Sequence, residues 1–329
     1  MVDSVDDFVN SDANAAPLIV LAGPTASGKT ALALALAERF GGEIVSCDSV
    51  AVYRGMEIGS AKPSLAERAR VPHHLIDVFS PDQPCTAGDY SRLAREAIAD
   101  ISQRGRLPIV AGGTGLYLRA LLDGLFAAPP RDESLRERLR QRAELRGAAY
   151  LHRILTRMDP EAARLIHAND AAKVTRAIEV TLTARLPISR QWQQQPRDPL
   201  TGFRTLRLCL NPPRAELYAR INRRAAAMFE PPQRGGGLVE ETAQLIAQFG
   251  EECRPLTSLG YAQAVALLRG ECSREEAVAA AQQGHRNYAK RQMTWFRKDS
   301  ELHWLAGFGG DAEIERQTCD LVAAHLAGR

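Results

Sequence analysis

The sequence lacks any apolar run approaching the length of a bilayer, so no membrane-spanning helix is expected. Its six cysteines (Cys47, Cys85, Cys209, Cys253, Cys272, Cys319) are scattered, with no C-x-x-C pair or other metal-ligand spacing. That pattern points to reduced thiols and not to a zinc site or a disulfide framework. Aromatic residues are few, at 6%, and arginine supplies nearly all of the positive charge. Acids and bases almost cancel, at a net +3, so any nucleic-acid partner must be met by local patches and not by a global field. A signal peptide is missing as well: residues 1–16 are acidic and polar and are expected to form a disordered tail, which fits a cytoplasmic protein. What remains is ordinary globular composition, 45% hydrophobic and 25% charged. At 329 residues the chain has room for two domains, or one with a large insertion.

The most informative stretch is Leu18 to Asp48. A short apolar run, Leu18 to Ala22, stops at Gly23-Pro24-Thr25-Ala26-Ser27-Gly28-Lys29-Thr30, and an alanine- and leucine-rich helical segment follows to about Phe40. Strand, glycine-bounded loop and helix start are the context in which G-x-x-x-x-G-K-[ST] denotes a phosphate cradle. Free backbone N–H groups converge on an anion there, and the helix dipole adds positive charge. Lys29 contributes a full charge, the Thr30 hydroxyl can hold Mg2+, and the glycines admit phosphate without a Cβ in the way.

Four more strands are expected after it. Glu43 to Cys47 forms one and ends on Asp48-Ser49; in open α/β sheets the ligand crevice lies off such carboxyl ends. On spacing alone, Asp48 reads equally well as a turn or cap residue. Pro72 to Phe79 reads as the next strand, and its adjacent His73 and His74 face opposite ways, which favours packing or turn roles over a shared metal. A helix capped by Thr86 runs to about Arg104. The strand Leu107–Ala111 ends in Gly112-Gly113-Thr114, where a P-loop hydrolase often carries an acidic magnesium ligand, and this weighs against ATP hydrolysis. Arg204 to Leu210 returns to the sheet, and a helix from Arg214 to about Phe229 carries Arg220, Arg223 and Arg224.

Between these lies a different composition. Residues 131–146 hold six arginines against four acids, and helical patterning continues to Arg185, so an all-helical insertion is expected. Such runs usually mean a solvated face laced with i,i+4 pairs. The segment Pro231 to Gly237 breaks any helix, and another begins near Leu238. Residues 285–298 contain no acid and interleave basic with aromatic side chains; this suits a phosphate backbone and an unstacked base, and equally a basic helix packing its aromatics inward.

Taken together, these stretches resemble the tRNA dimethylallyltransferases (tRNA isopentenyltransferases) over residues 17–305. The matching motifs are the loop Gly23–Thr30, Asp48-Ser49, Tyr53-Arg54-Gly55-Met56, Gly59-Ser60-Ala61-Lys62-Pro63, and Pro72 to Asp77. Gly112 to Tyr117, Arg176 to Val180, Gly260-Tyr261 and Ala289 to Phe296 complete the series in order. The resemblance implies an α/β fold, a P-loop NTPase-like parallel sheet core (17–124 and 200–305) with an all-helical insertion (125–199) that swings to clamp the anticodon arm. Residues 306–329 would be a C-terminal helix or tail. The implied reaction moves a dimethylallyl group from its diphosphate to N6 of the adenine 3′ to the anticodon of tRNA, in a monomer. Asp48 would be the general base, with Lys29, Thr30-bound Mg2+ and Arg220 stabilising the leaving diphosphate in the Gly23, Pro24, Thr25, Ala26, Ser27, Gly28 cradle. The target base would have to leave its stack. By the same resemblance Asp48, Ser49, Val50, Ala51, Thr114, Arg136, Lys173, Val174, Thr175, Arg176, Lys290 and Arg291 would lie along the RNA. Departures include the small residues after Ser49, Ala172 where glutamine is frequent, Thr257-Ser258-Leu259 without an arginine, and the Pro231–Gly237 insertion.

An adenylate isopentenyltransferase acting on free AMP, ADP or ATP shares the loop and the aspartate; the helical insertion and the Lys290–Phe296 run favour RNA. A small-molecule kinase would need ATP turnover. A non-enzymatic RNA-binding module would leave the loop and Asp48 unexplained.

Overall fold

The computed structural model describes residues 15–328 apart from 127, 128, 130, 195, 196 and 235. Of the expected tail at residues 1–16, residues 1–14 lie outside the described residues, while Ala16 already opens the first strand. The described chain divides into two compact units, one of residues up to Leu122 and from Leu200 onward, the other Asp123–Pro199.

In the first unit β1 (Ala16–Ala22), β2 (Gly42–Cys47), β3 (His73–His74), β4 (Leu107–Gly112), β5 (Phe203–Leu210) and β6 (His303–Leu305) form one sheet. All neighbours are parallel, in the order β3-β2-β4-β1-β5-β6. Parallel strands are covered on both faces, so their sequences read as continuous apolar runs. The two-residue period of a strand then sorts each run between two layers. Leu18 and Val20 of β1 join Val45 and Val110 on one face, under Tyr90, Ala94 and Ile98 of helix Ala87–Gln103. Ile19 and Leu21 join Ile44, Ile109 and Leu208 on the other, under Leu32 and Leu36 of helix Lys29–Phe40.

The C-terminal segment completes this second layer. Helix Ala312–Leu326, within the stretch expected as a C-terminal helix or tail, adds Ile314, Cys319 and Val322 to the same core, which packs the phosphate loop's helix.

The third strand is shorter than expected. Only His73–His74 pair with β2; Leu75 and Asp77 then take left-handed φ of 61° and 59°, which no strand tolerates. Asp77 is held there by Lys62 and Arg68, which also share Glu57, a closed square of two cations and two anions. The Pro231–Gly237 break is a tight loop: Gly237 N–H donates to Glu230 O at 2.8 Å, and a Cβ on Gly236 would fall 1.9 Å from that same oxygen. Only glycine fits there.

The regular elements among the second unit's described residues are helices: Glu133–Arg146, Ala148–Met158, Pro160–Leu165, Ala171–Ala184 and Ile188–Gln194. Leu139, Leu151, Leu155, Val174, Ile178 and Ile188 form its core. Two buried carboxylates organise it. Asp159 caps helix Pro160–Leu165 through Ala162 N–H and also accepts from Ser189 N–H at 2.9 Å and Ser189 Oγ at 2.8 Å. Glu179, fully buried, accepts from Asp132 N–H, Arg136 and Arg176.

Candidate active site

The carboxyl ends of β1, β4 and β2 open onto a pocket of about 420 Å³ lined by Thr25, Lys29, Thr30, Asp48, Gly113, Arg220, Arg224, Tyr288 and Gln292, among others. The loop between β1 and helix Lys29–Phe40 forms one wall. Gly28, at φ 89°, occupies the helix's N-cap without a side chain and leaves the first-turn N–H groups open. Lys29 Nζ donates to Pro24 O at 2.8 Å, so the lysine curls over its own loop. Its burial, reinforced by the neighbouring Arg224 and opposed by Asp48, pulls its pKa down to about 8.

Asp48 follows β2 directly. Its Oδ1 accepts from Val50 N–H at 2.8 Å and Ala51 N–H at 3.2 Å, the turn geometry that the sequence left as an alternative role. The turn and a chemical role are compatible: the bonds fix one oxygen, and among the described residues the other has no protein donor. Ser49 N–H donates to Thr114 Oγ1 at 3.1 Å, and Thr114 and Gly113 N–H both reach Cys47 O at 3.2 Å, tying β2's exit to β4's. An acid at Gly112 would clash with the backbone of β2, and one at Gly113 would have to displace the Gln292 side chain. A Cβ on Gly112 would fall 2.1 Å from Cys47 O, and one on Gly113 2.1 Å from Gln292 Nε2.

Three residues that spacing did not single out complete the site. Gln292 accepts from Thr25 N–H at 2.8 Å and donates to Gly113 O at 2.9 Å, bridging the phosphate loop and β4's exit. Arg224 donates to Thr25 Oγ1. Tyr288 lines the pocket beside Asp48, and burial raises its pKa well above the usual phenol value. The apolar pattern of helix Arg274–Phe296 could have flagged Gln292, since it falls on the face that carries Ala289, Met293 and Phe296 inward.

The donor set fits Mg2+. Thr30 is solvent-facing and lines the pocket, and no cluster of three His, Cys, Asp or Glu occurs among the described residues. Magnesium keeps several waters and is usually held by one or two carboxylates together with substrate phosphates, and Thr30 and Asp48, which line the same pocket, could hold it beside a bound anion.

The expected RNA-facing residues fall into two groups. Ser49, Val50, Ala51 and Thr114 stand with Asp48 at the exits of β2 and β4, though Ala51 is buried and offers little beyond backbone. Lys290 and Arg291 are exposed on helix Arg274–Phe296. In the helical unit Lys173 is exposed and paired with Asp170. Val174, however, is fully buried in the unit's core, so its side chain cannot touch RNA. Arg136 and Arg176, expected along the RNA, both neutralise the buried Glu179, at 3.2 and 2.9 Å, and Arg176 donates to Pro129 O besides. Thr175 is half-buried beside them.

Residues 51–299 match the family model described as IPP transferase, and residues 16–77 match one described as isopentenyl transferase. The chain is 64% identical over 305 residues to a tRNA dimethylallyltransferase of Koribacter versatilis (strain Ellin345), covering 93% of this chain and 97% of that one. A tRNA dimethylallyltransferase of Solibacter usitatus (strain Ellin6076) is 54% identical, over 94% and 99%. Among solved structures, the tRNA isopentenylpyrophosphate transferase of Bacillus halodurans is similar at 34% identity and a TM-score of 0.68, covering 95% of this chain and 97% of that one. A eukaryotic dimethylallyltransferase acting on tRNA is similar at 25% identity and a TM-score of 0.79, over 95% and 80%.

Proposed function

The chain belongs to the IPP transferase family of tRNA dimethylallyltransferases, and from that footing we propose how its own residues divide the reaction. The enzyme transfers a dimethylallyl group from dimethylallyl diphosphate to N6 of the adenine 3′-adjacent to the anticodon in tRNA. The C1–O bond of the donor breaks, an N6–C1 bond forms, one N6 proton departs and diphosphate leaves.

Asp48 receives the proton. An exocyclic aromatic amine is a poor nucleophile until its proton has an acceptor. With Oδ1 fixed by Val50 and Ala51, the carboxylate presents its second oxygen in a set direction, which is the preorganisation that general-base catalysis needs. The observation that carries this assignment is that Asp48 and the phosphate loop line one pocket.

The developing charge on the diphosphate falls to the loop amides of Ala26, Gly28, Lys29 and Thr30, to the Lys29 ammonium and to Arg220, which line one pocket. An incoming dianion strengthens the proton affinity of Lys29 and removes it from Pro24 O. Thr30 would hold Mg2+, which when bound supplies further charge neutralisation at the diphosphate. Arg224 and Gln292 hold the loop through Thr25.

For RNA contact we take Ser49, Val50, Ala51 and Thr114 to border the flipped base, and the exposed Lys290, Arg291 and Lys173 to meet phosphates. The same reading has the protein act as a monomer in the cytoplasm; among the described residues no helix is long and apolar enough to cross a membrane.

The test is to incubate purified protein with labelled dimethylallyl diphosphate and either unmodified tRNA or AMP, then locate the label. Label on the tRNA adenine supports the assignment. Label on AMP would establish the adenylate transferase, and ATP cleavage without alkylation would establish a kinase or ATPase.

A further inference from the structure

The guanidinium of Arg220 lies 3.5 Å from the centroid of the Phe308 ring, and among the described residues this is its one close partner. Phe308 itself is 2% exposed, packed with Leu217, Ile221 and Ala289. The next residue touches the phosphate loop from beneath: Gly309 N–H donates to Ser27 O at 2.9 Å. The contact admits no side chain on either strand of it. A Cβ on Gly309 would sit 2.4 Å from Gly28 O, and one on Gly28 would sit 2.9 Å from Gly309 N. Asp311 Oδ2 closes the turn by accepting Phe308 N–H at 2.7 Å. One short turn after β6 thus meets both halves of the anion site.

We propose that Phe308 and Gly309 are positioning residues for the leaving diphosphate. Phe308 aims Arg220 into the pocket, and Gly309 sets the height of the loop at Ser27 and Gly28. A planar cation resting on a ring face keeps its in-plane N–H groups directed outward, toward an anion, and loses fewer rotamers when the anion arrives. A carboxylate partner in that place would have competed with the diphosphate. An aromatic face holds the guanidinium without occupying its donors. The inference rests on the diphosphate reading of the pocket and extends it to a turn outside the pocket wall.

The experiment measures binding of inorganic pyrophosphate with Mg2+ by calorimetry, without tRNA, and steady-state kinetics with dimethylallyl diphosphate and tRNA. Phe308→Met, which keeps the bulk and removes the ring face, should weaken pyrophosphate binding about fivefold and raise KM for the prenyl diphosphate in parallel, with tRNA affinity unchanged. Phe308→Trp should restore most of the loss. The double variant with Arg220→Met should be no worse than Arg220→Met alone. Gly309→Ala should weaken pyrophosphate binding more, because it displaces Gly28. Additive effects of the two Met substitutions, or equal loss of tRNA and pyrophosphate binding with a lowered melting temperature, would reduce Phe308 to a core residue and overturn the proposal. Wild-type protein that binds pyrophosphate without prenylating tRNA would instead count against the acceptor assignment and leave this test intact.

Discussion

The side-chain oxygen of Gln292 accepts the backbone N–H of Thr25 at 2.8 Å, joining residues 267 positions apart in the chain. The amide nitrogen of the same side chain reaches Gly113 O at 2.9 Å. One amide therefore fixes the spacing between the phosphate loop and the exit of β4. Gln292 is 5% exposed, so neither bond is easily replaced by water.

Gln292→Leu removes both bonds and leaves a buried N–H and a buried carbonyl without partners. At roughly 1–3 kcal/mol for such groups, kcat/KM for dimethylallyl diphosphate should fall about tenfold or more. Steady-state kinetics at saturating tRNA check this, and an unchanged value would show that the loop holds its place without the bridge.

The pH dependence follows from Lys29. Its pKa in the free enzyme is lowered to about 8, so it is cationic below that value and neutral above it. Capture of the diphosphate needs the cation, and kcat/KM for the prenyl donor should decline as pH rises through about 8. Arginine stays charged across this range, so Lys29→Arg should lower the plateau and abolish the alkaline limb. A limb that persists unchanged in the variant would belong to another group.

Arg136→Ala with Arg176→Ala leaves the buried Glu179 without its two cations. Breaking a buried pair by removing one side typically costs about 3–5 kcal/mol, so the double variant should melt markedly lower as well as bind tRNA less well. Adding Glu179→Leu should recover part of the melting temperature. Thermal denaturation of the two variants against wild type decides it, and a double variant as stable as wild type would show that Glu179 does not depend on these two cations.

Exposed cations give a cleaner view of RNA contact. Lys290→Ala with Arg291→Ala should reduce tRNA affinity and lower the slope of log K against log salt by about 1 to 2, while the melting temperature stays put. Titrations at several salt concentrations test this; a slope equal to wild type would take this helix face out of the RNA interface.

The parts of the site legible in the sequence are those whose meaning is local. Gly23 to Thr30 and Asp48 carry their geometry in a few consecutive residues, and β1 before them shows the continuous apolar run of a doubly covered sheet. Gln292, Arg224 and Phe308 act through contacts with residues far away in the chain, for which no spacing rule exists. The end of β3 was hidden because left-handed Leu75 and Asp77 are not glycines, and their turn is imposed by Lys62 and Arg68. The arginines of the helical unit read as RNA contacts because nothing local in the sequence shows that Glu179, the one acid of helix Ala171–Ala184, is fully buried and draws Arg136 and Arg176 to it.

The central claim is that Asp48 accepts the adenine N6 proton, and Asp48→Asn tests it most directly. Asparagine keeps an oxygen for Val50 and Ala51 N–H, so the turn survives while the base is removed. Single-turnover prenylation should slow by about a hundredfold to ten-thousandfold, with the tRNA dissociation constant changed by less than about tenfold. A variant that transfers the prenyl group at the wild-type rate, or loses RNA binding in step with turnover, would contradict the account.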